Sequence, residues 1–384
     1  MRNKIDFLKT ILAYSWKAFV ILLLGFMLTG MAAFYTQQNQ KEETKKEFAL
    51  ICNDLKVVLD TRLHAHANYL RSGAAFFAAS DLVNRNNWKV FVEGIKIEKN
   101  LPGIQGIGFA LIVPKTQLPQ HLQHIRQQGF PNYNIKPAGD RNVYTSVIYL
   151  EPFAGRNLKA FGYDKLQEPV RRLAMEQSRD NDMAVLSGKV TLVQESNEDI
   201  QSGTIMYVPV YKNGMLSNTL QQRRAAITGW VYSPYRMNDL MTGILGRWNL
   251  KNHDRIHLQI YDDQVSDGAL LYDSQYSDSV KITNLNFRVI TVPVAFNGKK
   301  WVLYCKQNIE QIPFYKNKAI IILVAGILLS LSLFLLYLSL INTRQKAVAI
   351  ARALSAEVKE TETKFKMLFN GSNDAFLFWK EIPL

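Results

Sequence analysis

The sequence predicts an α+β protein in which two membrane-spanning helices flank an outward-facing domain built on antiparallel sheets. Three observations lead there. Two blocks, around residues 18–40 and 319–341, carry no charge. Short strand-like runs with few helices fill the interval between them, the pattern of antiparallel α+β modules. A long helical repeat of apolar residues connects the first block to those strands.

The first block lies between Lys17 and Lys41 and the second between Lys318 and Arg344, with no charge inside either. A hydrocarbon core about 30 Å thick needs about 20 apolar residues in a helix. In lipid every backbone group must pair internally, so each block is read as a helix in the bilayer. The first block also passes as a signal peptide, with Gly30-Met31-Ala32 as a cleavage site. Its apolar run exceeds the usual h-region, which favours an uncleaved anchor. Arg2, Lys4, Lys9 and Lys17 precede the first block against Asp6, and Arg344, Lys346 and Arg352 follow the second. Basic flanks stay in the cytoplasm, so both ends are expected inside and residues 37–317 outside. Lys316 and Lys318 run against that rule at the outer end of the second span.

The net charge is +14 and the pI about 9.5. The charges are interspersed, and no basic run is laced with aromatics, so no nucleic-acid partner is expected. The basic surface suits anionic lipid. Cys52 and Cys305 are the two cysteines, one near each membrane end of the outer segment. A disulfide and two isolated thiols both stand as readings.

Along the chain, residues 41–79 read as a stalk helix, with Phe48, Ile51, Leu55, Val58, Leu59, Leu63 and Leu70 at helical spacing. Leu101 to Gly108 is rich in turn residues and leads into a buried strand at Phe109–Val113. Its glycines precede a strand instead of linking a strand to a helix, which excludes a phosphate loop. Further strands are expected at Val143–Leu150, Val185–Val193, Thr204–Tyr211 and Ala226–Tyr232, with a helix at Glu168–Ser178 opened by Pro169. A second group covers Ile256–Tyr261, Ala269–Tyr272, Phe287–Val294 and Trp301–Lys306. Two modules or one large one would fit this length. Below the second span, Ala347, Ala351, Leu354, Val358, Thr361, Phe365 and Leu368 alternate spacings of four and three. That is a heptad seam, and it predicts a parallel homodimer across residues 342–364. Residues 365–384, from Phe365-Lys366-Met367-Leu368 onward, resemble the opening of a PAS domain; too little follows to bury a core, so an output module is expected elsewhere.

One ordered set of motifs occupies the outer segment. Pro102-Gly103-Ile104-Gln105-Gly106-Ile107-Gly108 comes first, then Glu151-Pro152-Phe153-Ala154-Gly155-Arg156-Asn157 and Ala160-Phe161-Gly162-Tyr163-Asp164. Glu168-Pro169-Val170-Arg171-Arg172-Leu173-Ala174-Met175, the run Leu186-Ser187-Gly188-Lys189-Val190-Thr191 and Met206-Tyr207-Val208-Pro209-Val210-Tyr211 follow. Together they resemble the CHASE family of extracytoplasmic sensors. The resemblance implies a stalk helix and two PAS-like modules, a distal one over about 80–235 and a proximal one over about 236–316. It implies a bacterial inner-membrane receptor with its sensor in the periplasm, a small-molecule ligand of unassigned identity, and an output of histidine kinase or diguanylate cyclase type. The ligand-binding candidates are Phe161, Asp164, Arg171, Leu186, Ser187 and Tyr207. In plant relatives an aspartate matching Asp164 contacts a purine, and main-chain groups near the position of Leu186 assist. Family members often carry Thr-Gly where this chain has Asn181-Asp182, which sets a carboxylate near the expected pocket.

The residues themselves leave alternatives. Asp164 precedes a helix start and suits an N-cap as well as a ligand contact. Arg171 and Arg172 can pair Glu168 and Glu176 along a helix, and only one of the two can face a pocket. Tyr207 and Tyr211 share a strand face and suit core or rim. Neither His121 with His124 nor His253 with His257 completes a zinc signature, and no nucleophile elbow, kinase or cyclase motif occurs. No enzyme activity, metal or cofactor is therefore expected. Two further readings remain beside the receptor: a truncated, non-signalling binding protein, and a membrane-anchored enzyme or accessory.

Overall fold

The computed structural model describes residues 2–195, 200–246, 256–274, 287–309 and 317–379. His253, Lys316 and residues 380–384 lie outside them. The chain forms two compact units, residues 46–310 and residues 1–45 with 311–384.

Helix α1 (Arg2–Ala78) enters the larger unit without a break, as the absence of Pro and Gly up to Gly73 predicts for the stalk except at Gly25 and Gly30, which the bilayer-type helix tolerates. Phe48, Cys52, Leu55, Leu59, Leu63, His66 and Leu70 are buried along one face, three or four residues apart. His66 is the polar member. It stacks on Tyr235 with ring centroids 5.5 Å apart, and burial, with Arg62 adding to it, takes its pKa down to about 4, so the ring is neutral.

After α1 come α2 (Arg85–Ile95), α3 (Ile97–Asn100), β1 (Ile107–Pro114), α4 (Leu118–Gln127), β2 (Val143–Glu151), α5 (Pro169–Asn181), β3 (Val185–Leu186), β4 (Gly203–Tyr211), α6 (Leu220–Ala226), β5 (Ile227–Arg236) and α7 (Met237–Leu245). The five strands form one antiparallel sheet in the order β2-β1-β5-β4-β3. One face packs on α1 and α2 through Phe109, Met206, Val208, Val231 and Trp88. The other carries Ala110, Ile205, Tyr207, Trp230 and Tyr232 against Ala174 and Met175 of α5. The strand expected over Val185–Val193 pairs over two residues only. Ser187 Oγ accepts the Ile205 N–H at 2.9 Å in place of a regular rung, and the chain leaves the sheet until Val190 bridges Gly203.

The second sheet contains β6 (Ile256–Asp262), β7 (Leu270–Asp273), β8 (Phe287–Phe296) and β9 (Lys299–Asn308), in the antiparallel order β7-β6-β9-β8. Its Leu258, Ile260, Leu271, Phe296, Trp301 and Leu303 belong to the same core as α1, α7 and the first sheet. Cys52 of α1 and Cys305 of β9 are buried free thiols in mutual contact, and that contact lowers the Cys52 pKa and raises the Cys305 one.

In the smaller unit α8 (Lys318–Trp379) accompanies the first part of α1. Both helices are long and apolar enough to cross a membrane, with mean hydropathy 2.1 and 3.0 in their most apolar stretches. Phe19 meets Phe334 at 5.4 Å between ring centroids. Gly25 lies against Ser330, and Gly326 against Thr29, too closely for a Cβ at either glycine. Small residues at a helix crossing let two backbones approach, as in membrane helix pairs. Most of the remaining apolar surface, including Leu23, Leu28 and Leu335, is exposed.

Candidate functional site

The site grows from the α5 face of the first sheet. Tyr207 on β4 and Tyr232 on β5 are direct partners across the ladder, so their rings project from the same face. Their centroids are 6.2 Å apart and both side chains are fully buried. Gly108 on β1 also pairs with Tyr232, and any side chain there would strike the Tyr232 ring. Gly108 thus makes room for a phenol.

Helix α5 covers these rings. Glu168 caps it, accepting from Val170 N at 3.0 Å and Arg171 N at 2.9 Å, and Pro169 starts its first turn. The two neighbouring arginines diverge. Arg172 stays exposed and donates to Leu166 O at 2.7 Å. Arg171 turns inward to 3% exposure, donates to Thr191 O at 2.7 Å and lies over Tyr163 at 5.1 Å. Its Nε is 3.7 Å from the Glu168 carboxylate.

Asp164 is fully buried; its Oδ1 accepts three hydrogen bonds and its Oδ2 faces a guanidinium without a formal hydrogen bond. Oδ1 accepts from Thr145 N at 2.9 Å, Thr145 Oγ1 at 2.8 Å and Leu166 N at 3.1 Å. Oδ2 lies 3.1 Å from Arg141 Nε. The Leu166 bond caps the 3₁₀ turn Lys165–Gln167, so the capping geometry read from the sequence is present. Thr145 Oγ1 also accepts from Lys165 N at 2.8 Å, which ties the next residue to the same knot.

That next residue is the centre of the site. Lys165 is 3% exposed, and its Nζ sits 3.7 Å from the Tyr232 ring centre and 5.9 Å from that of Tyr207. Among the described residues it has no carboxylate partner. Burial pushes its pKa well below the lysine range, and the nearby Arg171 charge adds to the shift. Burial likewise drives both phenol pKa values up. Tyr207 Oη, Tyr232 Oη and Arg171 Nε are all buried without a hydrogen-bond partner. Two buried phenol hydroxyls without a partner therefore converge under α5 with the Lys165 amine, beside an Arg171 that is held by Thr191 O and Glu168.

The structure brings Arg171 and Tyr207 together there and sets Asp164 behind them as the support of Lys165. Ser187 spends its hydroxyl on the strand pairing, with Oγ accepting from Ile205 N and donating to Gly188 O. Leu186 packs with Met206 in the core on the α1 side, while its neighbour Val185 packs on the α5 side. Phe161 joins another group, Phe130, Tyr133 and Phe153, which surrounds the Arg85 guanidinium; Phe161 lies 5.1 Å from it. The extra carboxylate of Asp182 is not turned to the pocket. It caps α5 in the left-handed conformation, φ 52°, and pairs with Arg71 of α1 at 2.8 Å. Lys165, Tyr163 and Tyr232 are absent from the sequence candidates. The signals were a lysine next to the chosen aspartate and a tyrosine two residues past Trp230 on one strand face.

Elsewhere, His121 contacts Tyr133 Oη at 3.0 Å and His257 pairs with Asp273 at 2.6 Å. No group of three metal-ligating side chains occurs among the described residues.

The profile of the CHASE domain matches residues 81–272, half of the chain. The chain belongs to the CHASE family. CHASE domains are sensory extracellular domains of signalling receptors, and here two apolar helices flank the domain. The CHASE match includes every pocket residue described above and ends inside β7. No curated protein matches the chain.

The Asp164 knot makes a measurable prediction for this CHASE domain. Asp164→Ala leaves Arg141 without its anion and Thr145 without its acceptor, and should cost about 3–5 kcal/mol in chemical denaturation. Arg141→Met should cost a similar amount. The double variant should cost clearly less than the sum, because the two losses share one interaction. Strict additivity would mean that the pair is not coupled.

Proposed function

We propose that this chain is the sensing part of a bacterial inner-membrane receptor. Its periplasmic CHASE domain binds a small molecule under α5, and α8 passes the signal to a cytoplasmic output module of histidine kinase or diguanylate cyclase type. The observation that carries this reading is the pair of buried, unpartnered hydroxyls of Tyr207 and Tyr232 beside the buried basic side chains of Lys165 and Arg171, inside a family of sensory domains. Buried polar groups in native proteins are nearly always paired, and exceptions call for a functional account. An antiparallel five-stranded sheet with helices on both faces, followed by a four-stranded one, agrees with two PAS-like modules. Asp164 serves this pocket by fixing the turn that aims Lys165.

Dimerisation is the second part of the proposal. The α8 side chains Leu354 and Val358 are each 62% exposed and Leu368 is 74% exposed, although they follow a heptad. A second copy of the chain would cover that stripe in a parallel coiled coil. The lipid bilayer is the partner for the exposed apolar residues of the two spans.

Three measurements test the reading. A thermal-shift screen of metabolites on the full chain in nanodiscs should yield a stabilising compound whose effect disappears in a Tyr207→Phe/Tyr232→Phe variant. Stabilisation that survives the double substitution places the ligand elsewhere. Reporter fusions after Gln222 and Lys364 should register outside and inside the cytoplasmic membrane, respectively; a cytoplasmic signal at Gln222 defeats the sensor reading. Single cysteines at Ala351, Leu354 and Val358, in a background without Cys52 and Cys305, should cross-link between protomers faster than one at Ala356. Equal rates at all four positions would rule out this dimer seam.

A further inference from the structure

The site is basic, and its basicity names a class of ligand. Two of its four converging side chains, Lys165 and Arg171, are bases. Arg171 is partly compensated by Glu168, whose carboxylate is 3.7 Å away and already accepts two backbone N–H groups. Lys165 is not compensated. The nearest acid in sequence, Asp164, is taken up by Thr145, Leu166 and Arg141. Glu195 is taken up by Arg236 at 2.8 Å, and Asp180 by Arg224 at 2.6 Å. Among the described residues no acid remains for the ammonium group, which has only the Tyr232 ring beneath it.

The other two side chains point to the same chemistry. A phenol can donate or accept, but beside two basic side chains its proton is the useful group. Tyr207 and Tyr232 each hold a buried hydroxyl with no acceptor in reach. Burial keeps both phenols protonated, hence donors. One ammonium and two phenol O–H groups match the lone pairs of a two-oxygen anion, and charge-assisted hydrogen bonds are the strong ones. Ala174, Met175, Val185 and Ile205 pack around the site and make its surroundings apolar.

Building on the receptor reading, we infer that the ligand is a small organic carboxylate, its carboxyl group held by Lys165 together with Tyr207 and Tyr232 and its apolar part packed under α5. A neutral heteroaromatic molecule would supply no anion to favour the charged form of the lysine. A cation would be repelled by both Lys165 and Arg171.

The test uses the full chain in nanodiscs and four acid and amide pairs: acetate, butyrate, benzoate and phenylacetate, each beside its primary amide. At least one acid should raise the melting temperature of the native protein, and its amide should not. Lys165→Met should abolish that response, and Tyr207→Phe should weaken the apparent affinity about tenfold or more. Without any acid, Lys165→Met should melt at or above the native temperature, because it removes a buried amine that has no carboxylate partner among the described residues. Lower intrinsic stability of Lys165→Met would reveal an internal anionic partner and overturn the inference. So would equal responses to acid and amide, or no response to any of the four acids. If the metabolite screen then yields a neutral compound that still needs Tyr207 and Tyr232, the pocket reading stands and only the carboxylate assignment falls.

Discussion

A single apolar stripe on α1 is the constraint on which the larger unit depends. Phe48, Cys52, Leu55, Leu59, Leu63 and Leu70 lie on one helical face and are all essentially inaccessible to solvent. Each such side chain contributes about 1.5–3 kcal/mol on burial, an upper range because the unfolded chain already hides part of its surface. The stripe serves both sheets. Cys52 touches Cys305 of the second, and His64 meets Phe296 edge-on at 5.1 Å. Farther along, His66 stacks on Tyr235, and Gly73 lies so close to Val231 that a side chain there would press on it. On the α1 side neither sheet has a core of its own. Moving one against α1 disturbs packing that the other shares.

The first sheet turns that constraint into a connection. Strand alternation sends neighbouring residues to opposite faces. Val231 packs toward α1, and Tyr232 beside it enters the pocket. Met206 and Tyr207 divide in the same way. Whatever occupies the pocket is thus one residue away from the α1 contact on two adjacent strands. Close-packed interiors transmit small displacements, since a shifted strand has no void to relax into. An occupant changes the balance of conformations only if it favours one arrangement of those strands over another.

Much of this was legible in the chain, for identifiable reasons. The helical spacing of Phe48 to Leu70 sets the stripe, and the β-branched and aromatic runs mark eight of the nine strands closely. Glu168 and Pro169 mark the start of α5. What escaped depends on contacts distant in sequence. The run after Leu186 has strand composition, but a serine side chain substitutes for the backbone in the ladder. Helices α2, α6 and α7 are short; each is held by its surroundings, α2 by Trp88 in the core and α7 by Met237, Leu240 and Met241. The motif-based choice of Asp164 led to the right turn, but no periodicity reveals that Thr145 and Arg141 hold it. Phe161 lies close to the motif in sequence and on the other side of the sheet in space, and Leu186 lines a cleft beside α5 with Val170, Leu173 and Ala174. Lys165 reads as an ordinary surface lysine until the knot around Asp164 draws it inside.

The energetics of that knot explain why such a lysine can exist. Burying an ammonium group without an anion is costly, and a chain under selection for stability alone would replace it with an apolar residue of similar length. Here the cost falls on one residue whose backbone is locked on both sides. Lys165 N bonds to Thr145 Oγ1, and the preceding Asp164 accepts three hydrogen bonds and faces a guanidinium. The turn cannot swing outward to solvate the charge without breaking those contacts together. The Tyr232 ring beneath the ammonium offsets part of the penalty through its π face. The rest remains as unspent interaction between the sheet and α5. A site that is strained when empty and relieved by one kind of occupant couples binding to conformation, because the free energy recovered on binding is available only in the arrangement that holds the donors together.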